Sequence, residues 1–382
     1  MPVRRFDSVW RLGAAAGLAA GLAFSAVLPV AAQIRIGQTS SFTGPVGPAV
    51  KEGTDAAKVY FEAVNLRGGI NGQPIELISL DDKFDAKLTA ENARRLLDQG
   101  VVALFFNRGT PQTEALMPIL LDRKVPLVGP STGAMVVHEP VHPWIFNVRA
   151  TYQREAERAV QHLFSIGLRR IAVLLRDDSF GADGAAGALR GFEAAGVKPV
   201  VYEKYARTKP DFAPAVQKIA QADAQAVMFV GAGTEVADGT KALRAAGSQA
   251  QIVTLSNNAA AGFIKAMGEH ARGVIVSQVF PNERSLSAPL IKELHDLMKV
   301  RGGGKPPEIT PAMVEGFAAA KVLVEGLRRA SPDPTPAKLK NALEGLRKFD
   351  LGGLELTFSP TDHTGLEYSD LSIVDRDGHF RR

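Results

Sequence analysis

Short runs rich in β-branched residues alternate with helical patterns along this chain, and this alternation constrains the fold more than any other feature. Repeated strand–helix–strand units predict an α/β fold with parallel sheets that carry helices on both faces. Because 382 residues exceed one typical domain, we expect two domains. The predicted strands cover 34–37, 76–80, 101–106, 125–128, 170–175, 226–230 and 252–255.

A helix is predicted directly after the first strand. Between Ala49 and Val64 apolar residues recur at spacings of three and four, which indicates one buried face. Pro48 suits the first helical turn, where its missing N–H costs nothing. The loop between strand and helix, 40–45, contains Phe42 among hydroxyl residues and lies where parallel sheets present ligand-binding loops.

Three further loops of small, polar residues follow predicted strands, at 107–111, 129–133 and 231–234, the last containing Gly233. Helix N-termini with free backbone N–H groups favour an anion such as a carboxylate. Any one of these loops is explained as well by helix capping and turn formation. A parallel sheet gathers such loops on one edge, so the set of four indicates a site for a small anion.

The N-terminal residues differ from the rest of the chain. Arg4, Arg5 and Arg11 flank or precede an apolar run over 12–28, and small residues at 30–32 offer a cleavage site. This pattern predicts a secretory signal peptide, residues 1–32, removed after Ala32, with the mature chain in an exported compartment. The alternative is a membrane anchor, but the run is short for a span, so we expect no membrane insertion after cleavage.

Charge and cysteine content exclude several classes of protein. The formal net charge of +5 falls to +3 without the signal peptide, and the interspersed charges argue against nucleic-acid binding. The chain has no cysteine, which excludes a lipid-anchored lipoprotein and disulfides. His138 and His142 are separated by Pro140 and lack a third ligand nearby, so we expect no metal and no cofactor.

Several motifs spread along the chain together indicate a family. They are Thr43-Gly44-Pro45, Asn65 with GGING at 68–72, Asp81-Asp82, the block GTPQTEALMPILLDRKVPLVGPSTGA, the turn DDSFGADG and the run DFAPAVQKIAQADAQAVMFVG. Together they resemble the leucine/isoleucine/valine-binding family of periplasmic substrate-binding proteins, which implies periplasmic localisation. The resemblance implies two doubly wound parallel-sheet lobes joined by a three-segment hinge, the type I periplasmic binding protein fold. It further implies that a monomer encloses a small carboxylate-bearing ligand between the lobes and delivers it to the permease subunits of an ABC importer.

The resemblance also implies domain boundaries and a site. The N-terminal lobe would comprise 33–148 and 279–356, and the C-terminal lobe 149–278 and 357–382, with hinge crossings near 147–149, 277–278 and 356–359. The loops at 107–110 and 131–133 match family segments that hold a carboxylate, Phe180 matches an aromatic that closes over the ligand, and Phe280 falls near a third wall. The candidate ligand-binding residues are Phe42, Asn107, Arg108, Gly109, Thr110, Ser131, Thr132, Gly133, Phe180, Gly233, Asn257 and Phe280.

The sequence departs from the family at Asn257, where amino-acid binders carry a carboxylate for the ligand's ammonium group. An amide cannot supply the charge that a buried ammonium requires. Glu235 could replace it, although a solvated glutamate at a helix start is the simpler interpretation. An organic or aromatic acid without an amine therefore competes with an amino acid as the ligand. The family's cysteine pair is also missing, with Phe84 and Asn107 near its positions, so this lobe must be held by packing alone.

Other functions remain open at the level of sequence. Residues 129–133 satisfy the G-x-S-x-G pattern of an exported serine hydrolase that would use Ser131, with His363 and Asp362 as partners. The expected order of acid before histidine is not met, so we predict a binding protein and no enzyme. A ligand sensor of the same fold is not separable from a transport protein. Residues 231–233 open like a dinucleotide loop, but Val236 stands where a third small residue is needed.

Overall fold

Two β-sheets organise the part of the chain that the computed structural model describes, residues 33–305 and 307–382. The predicted signal peptide, 1–32, lies outside the described residues. The strands are β1 (Ile34–Ser40), β2 (Ile75–Asp81), β3 (Ala103–Phe105), β4 (Leu127–Val128), β5 (Ile145–Phe146), β6 (Ile171–Arg176), β7 (Val201–Tyr205), β8 (Ala226–Val230), β9 (Gln251–Thr254), β10 (Ile275–Gln278), β11 (Phe349–Asp350), β12 (Glu355–Leu356), β13 (Asp370–Val374) and β14 (Phe380–Arg381).

Eleven described α-helices connect these strands. They are α1 (Gly47–Leu66), α2 (Ala86–Asp98), α3 (Thr110–Arg123), α4 (Tyr152–Ser165), α5 (Ser179–Ala194), α6 (Ala213–Gln221), α7 (Gly233–Ala245), α8 (Ala261–Met267), α9 (Pro289–Arg301), α10 (Pro311–Arg329) and α11 (Pro336–Glu344). Short 3₁₀ helices lie at Met135–Val137, Ser256–Asn258 and Gly268–Ala271. Among the described helices, none combines the length and the apolar character needed to cross a bilayer.

Both sheets are wound in the same way. The first has the strand order β2-β1-β3-β4-β5 with every pair parallel. The second repeats this order as β7-β6-β8-β9-β10, again parallel, and adds β13 and β14 antiparallel at the β10 edge. In such sheets ligands bind beyond the carboxyl ends of the strands where the winding reverses, here between β1 and β3 and between β6 and β8.

The chain passes between the sheets three times, after β5, after β10 and after β12. Helices α9 to α11 follow the second passage and share a hydrophobic core with α1 and the first sheet. The first and third passages are joined where Asn147 and Thr364 form an isolated parallel bridge. Separate apolar clusters cover the two faces of the second sheet.

Helix α1 shows how the first core is packed. Its apolar face is buried as the spacing predicts, and Tyr60 meets Phe317 of α10 edge to face at 5.2 Å. The two helices approach closely at paired glycines, because a Cβ on Gly316 would lie 2.0 Å from the backbone oxygen of Gly53. Pro48 occupies the first turn, which confirms its predicted role.

The predicted strands are confirmed, with shifted ends. The predicted strand over 101–106 is shorter, Ala103–Phe105, and that over 125–128 is reduced to Leu127–Val128. Strands β5, β7, β10 and the C-terminal strands were not predicted, because several are only two residues long or lie at sheet edges with mixed burial. The alternation alone was enough to predict the α/β class.

Candidate functional site

Loops from both sheets meet in one cleft. On the first sheet, Val46 follows β1 and Arg108 follows β3, and on the second, Arg176 ends β6 and Ala232 follows β8. These are the strands at which the winding of each sheet reverses, so the two expected ligand positions face one another. The cleft is lined by Val46, Phe84, Arg108, Gly109, Tyr152, Arg176, Phe180, Ala232 and Asn257.

The first-sheet wall of the cleft is rich in hydroxyl groups. The Thr110 and Thr132 hydroxyls lie 2.8 Å apart, and both side chains are buried. Arg108 and Ser131 form a parallel bridge that extends the pairing of β3 and β4. Gly109 has a φ of 102°, a conformation that favours glycine, and its N–H donates to the Ser131 carbonyl at 3.4 Å. Part of the backbone predicted for ligand contact is therefore used to hold the two loops together.

Arg108 is a buried cation at the centre of this wall. Arg108 is only 5% exposed. Its guanidinium donates to the Ser131 hydroxyl at 2.8 Å and to the backbone oxygen of Asn257 at 2.5 Å. No carboxylate of the described residues lies within 4.0 Å of its nitrogens. Both partners are neutral oxygens, so the positive charge of Arg108 is not compensated by this part of the chain.

The second-sheet wall carries a cation that is compensated. Arg176 lies 2.7 Å from Asp178 and 3.5 Å from Glu235, and it is almost fully buried. Its guanidinium also stacks between the rings of Phe84 and Phe180, at 5.3 and 5.0 Å from their centroids. Such cation–π contacts add to the ion pairs in a desolvated site.

The Glu235 carboxylate is buried and has several hydrogen-bond and ion-pair partners, so the prediction that it is solvated is wrong. Its residue is 7% exposed, and one carboxylate oxygen accepts from the Tyr205 hydroxyl and from the Ala232 N–H, each at 2.9 Å. The position at the start of α7 is as predicted, but Tyr205 and Arg176 cover it. Burial, and then the charge of Glu235, raise the pKa of Tyr205, so its hydroxyl stays protonated and donates.

A second buried cluster lies beside the cleft at Arg149. Its guanidinium pairs with Glu155 and lies 3.7 Å from Glu315 and 4.5 Å from the Tyr152 ring centroid. Burial acts to lower the pKa of Arg149, but attraction to Glu155, Tyr152 and Glu315 outweighs it and raises the pKa. Glu155 also accepts from the Ser256 N–H at 2.9 Å. Arg149 and Glu155 are therefore paired with each other, and Glu315 lies near the same guanidinium.

Contacts across the cleft connect elements of the two sheets. Arg207, beyond β7, donates to the Phe84 carbonyl at 2.8 Å and stacks on its ring at 4.7 Å. Glu52 of α1 accepts from the N–H groups of Ala261 and Gly262 at the start of α8, at 3.3 and 3.2 Å, and from the Thr310 hydroxyl at 2.7 Å. These contacts hold the cleft walls together.

The structure brings most predicted site residues to this region. Arg108, Gly109, Phe180 and Asn257 line the cleft. Phe42 packs beside the cleft residues Val46, Phe84 and Ala232, and Gly233 lines an adjoining apolar pocket that shares Val46 and Asn257. Five predicted residues do not line the cleft and are instead buried and bonded in the two neighbouring loops: Asn107, Thr110, Ser131, Thr132 and Gly133.

Phe280 is the residue that the structure does not bring to the cleft. It is 2% exposed and belongs to the hydrophobic core of the first sheet with Val279, Leu290 and Ile291. Its position just after β10, at the second passage, made a wall residue plausible. The Phe280 ring packs in the same core as the apolar residues of α9.

Sequence reasoning missed Phe84, Tyr152, Arg176 and Arg207 as cleft residues. Arg176 carried a usable signal, because it is a charged residue at the end of a buried strand, where a parallel sheet presents its ligand loops. The others approach from a neighbouring loop, from the start of α4 and from beyond β7. Their positions in the cleft depend on how the two sheets are oriented towards each other, which no local sequence pattern encodes.

The hydrolase alternative is not supported by the geometry around Ser131. The Ser131 hydroxyl accepts from Arg108, a cation that cannot act as a base. His363 contacts the backbone oxygens of His142 and Ile145, at 3.1 and 2.8 Å, and stacks on the Phe146 ring. The serine and histidine therefore have separate structural roles.

Within residues 33–305 and 307–382, one group of side chains has ligand atoms close enough for a metal ion, at the β13–β14 turn. Asp375, Asp377 and His379 lie within 4.8 Å of one another there. Asp375 already accepts from the Arg381 side chain at 2.6 Å and from two backbone N–H groups of the turn. Those contacts show that Asp375 stabilises the turn.

Comparisons with known proteins agree with this geometry. A family model described as "Periplasmic binding protein" matches residues 33–378. The Leu/Ile/Val-binding protein homolog 3 of Brucella melitensis biotype 1 is 25% identical over 360 residues, covering 90% of this chain and 93% of the relative. The chain is thus similar to curated proteins over nearly its whole length.

Solved structures give the same result. A substrate-binding periplasmic protein from Ralstonia solanacearum is 33% identical, with a TM-score of 0.83, covering 91% of this chain and 99% of that one. A possible leucine/isoleucine/valine-binding protein from Rhodopirellula baltica SH 1 is 25% identical, with a TM-score of 0.86, covering 93% and 98%. Both matches cover the two sheets together.

The chain belongs to the periplasmic binding proteins and, among them, to the leucine/isoleucine/valine-binding family. Its fold is the type I periplasmic binding protein fold, as predicted. The family is periplasmic and consists of solute-binding proteins of the branched-chain amino-acid ABC transporter type, so the chain is a binding protein and not an enzyme.

Proposed function

We propose that this protein captures a small carboxylic acid without an α-amine and delivers it to the permease subunits of an ABC importer. The observation that carries this proposal is the buried, uncompensated charge of Arg108 in the cleft. A buried guanidinium without an anion is costly, and a ligand carboxylate would supply the missing charge. Arginine also presents a planar pair of donors that suits a carboxylate.

The buried charges around the cleft also disfavour an amino acid as the ligand. An ammonium group buried in the cleft needs an anionic partner, and Glu155, Glu235 and Glu315 each already lie within 4.0 Å of an arginine nitrogen. Glu235 is held by Arg176, Tyr205 and a backbone N–H, and Glu155 by Arg149 and the Ser256 backbone. Position 257 offers an amide. The Brucella relative is named for leucine, isoleucine and valine, but it shares only a quarter of its residues with this chain.

The lining residues suggest the rest of the ligand. Phe84, Tyr152 and Phe180 offer aromatic surface, and Val46 and Ala232 offer apolar contacts. An aliphatic or aromatic carbon skeleton attached to the carboxylate would bury apolar area against these side chains. The ligand class is therefore a monocarboxylic acid with an apolar body.

We further propose that the two sheets and their helices act as lobes, with boundaries as predicted from the sequence. The three passages of the chain would serve as hinge segments, and ligand would draw the lobes together. Small-angle scattering of the monomer should give a smaller radius of gyration with saturating ligand. An unchanged radius at saturation would contradict the hinge.

Matched pairs of ligands test the ligand class. The pairs are leucine against 4-methylpentanoate and phenylalanine against 3-phenylpropanoate, titrated into mature protein by calorimetry. We expect the acid without the amine to bind at least about tenfold tighter, a difference of about 1.4 kcal/mol. Tighter binding of the amine-bearing members, with Glu235→Gln erasing their advantage, would establish an amino-acid ligand instead.

A further inference from the structure

The amide of Asn257 has a defined orientation. Its nitrogen donates to the Gly231 carbonyl at 2.9 Å and to the side-chain oxygen of Asn258 at 3.0 Å. Turning the amide over would set its oxygen against two other oxygens, neither of which could donate. The side-chain oxygen Oδ1 therefore has to point away from both of these partners.

That oxygen is a buried acceptor without a donor. Asn257 is 7% exposed, and within the described part of the chain its Oδ1 accepts no hydrogen bond. Buried polar atoms are nearly always paired, and an unpaired one carries the full penalty of its lost hydration. Asn257 is one of the residues that line the cleft, so a ligand bound there is the donor that we consider for this atom.

The acceptor lies next to the cation of the cleft. Arg108 donates to the backbone oxygen of Asn257, so the guanidinium and the amide belong to residues in direct contact. A ligand that places its carboxylate at Arg108 therefore lies next to Asn257, and the carbon atoms nearest that carboxylate are the part of the ligand closest to this residue. A donor on one of those carbons can satisfy the orphan acceptor.

We propose that the ligand is a hydroxy acid, with a hydroxyl near the carboxylate that donates to Asn257 Oδ1. This inference rests on the proposed function, in which Arg108 receives the carboxylate. A neutral hydroxyl fits better than an ammonium group, because an amide oxygen carries only a partial charge. The uncompensated charge of Arg108 beside Asn257 also opposes a second cation at this point of the cleft.

Three ligands on one carbon skeleton test the inference. They are 4-methylpentanoate, 2-hydroxy-4-methylpentanoate and leucine, which carry hydrogen, hydroxyl and ammonium at the same carbon. A second series is 3-phenylpropanoate, 3-phenyllactate and phenylalanine, and a minimal one is propanoate, lactate and alanine. In wild-type protein we expect the hydroxy acid to bind about five- to tenfold tighter than the deoxy acid in at least one series.

A pair of variants assigns the preference to the acceptor. Asn257→Ala should remove the advantage of the hydroxyl while the deoxy acid still binds. Asn92→Ala is the matched control, because Asn92 is also a buried asparagine, but its amide donates to the Asp81 carbonyl at 3.1 Å and has no contact with Asn257 among its hydrogen bonds. The control should retain the wild-type preference.

The outcomes separate this inference from the function on which it rests. Equal affinity of hydroxy and deoxy acids, both tighter than the amino acid, would overturn the hydroxyl and leave the organic-acid function standing. Tightest binding of the amino acid would overturn both. Absence of binding in all three series would also overturn both, and a preference that survives Asn257→Ala would exclude Asn257 as its source.

Discussion

Two arginines on opposite walls of the cleft are both buried but have different surroundings. Arg176, on the second sheet, is paired with Asp178 and Glu235 and enclosed by two aromatic rings. Arg108, on the first sheet, contacts only a hydroxyl and a backbone carbonyl. The comparison teaches that burial alone does not mark a ligand-binding charge. The informative feature is a buried charge that the protein itself leaves uncompensated.

The largest effect is expected at the compensated arginine. Arg176→Met leaves Asp178 and Glu235 buried without their main cation, which typically costs about 3–5 kcal/mol of folding stability. Arg207 and Tyr205 still contact these carboxylates, so we expect the lower end of that range. Urea unfolding followed by circular dichroism measures the change.

A matched control is Arg170→Met, because the Arg170 pair with Asp223 is exposed and should contribute less than about 1 kcal/mol. Equal losses in Arg176→Met and Arg170→Met would show that the second wall does not depend on its buried pair.

For Arg108 we expect little loss of stability but a large loss of ligand affinity. Arg108→Met removes an uncompensated buried cation, so the free energy of unfolding should change by less than about 1 kcal/mol or increase. Affinity for the tighter-binding acid of the matched pairs should fall at least about 100-fold, because two charge-assisted hydrogen bonds are lost. Calorimetry and urea unfolding on the same preparation give both numbers. A large loss of stability with intact binding would make Arg108 structural, like Arg176.

A smaller, pH-dependent effect is expected at Glu52, a carboxylate with only neutral donors. Burial raises the pKa of Glu52 above its ordinary 4.5, and hydrogen bonds from Thr310, Gly262 and Ala261 offset part of this. The folded state therefore keeps a proton that the unfolded state has lost, so stability falls as pH rises from 4.5 through the raised value.

Glu52→Gln should flatten that decline, which urea unfolding between pH 4.5 and 7 measures. The exposed Glu91 provides the control, since Glu91→Gln should leave the wild-type slope unchanged. A wild-type slope in the Glu52 variant would mean that other groups cause the decline.

The smallest effect is expected from a single hydroxyl of the first wall. Thr132→Val keeps the shape but removes the hydroxyl that bonds Thr110, and affinity should fall by about 0.5–1.5 kcal/mol, roughly two- to twelvefold. Thr240→Val removes a buried hydroxyl outside the cleft, bonded to Val236, and should leave affinity unchanged. A loss larger than that of Arg108→Met would place the main ligand contact at the hydroxyls.

The fold was accessible from the sequence because it depends on local patterns. Strand and helix periods predict a parallel α/β chain, and strand ends in such a sheet predict where loops such as 107–110 and 131–133 gather. The partners of those loops were not accessible. Glu235 is buried because Tyr205 and Arg176 reach it from distant positions, and Phe280 turns into the core because α9 packs there. Both depend on tertiary contacts.

The late position of β13 in the chain has a consequence for the kinetics of folding. Parallel strands β6 to β10 are connected through nearby helices. The partner of β10 on its other side, β13, is far away in the chain, because three helices separate Ile275 from its partner Ile373. The bridge from Asn147 to Thr364 closes a still longer loop. Contacts between distant residues slow folding, because the entropy of loop closure is lost before the contacts form. The second sheet therefore cannot reach its full width until residues 370–381 are available.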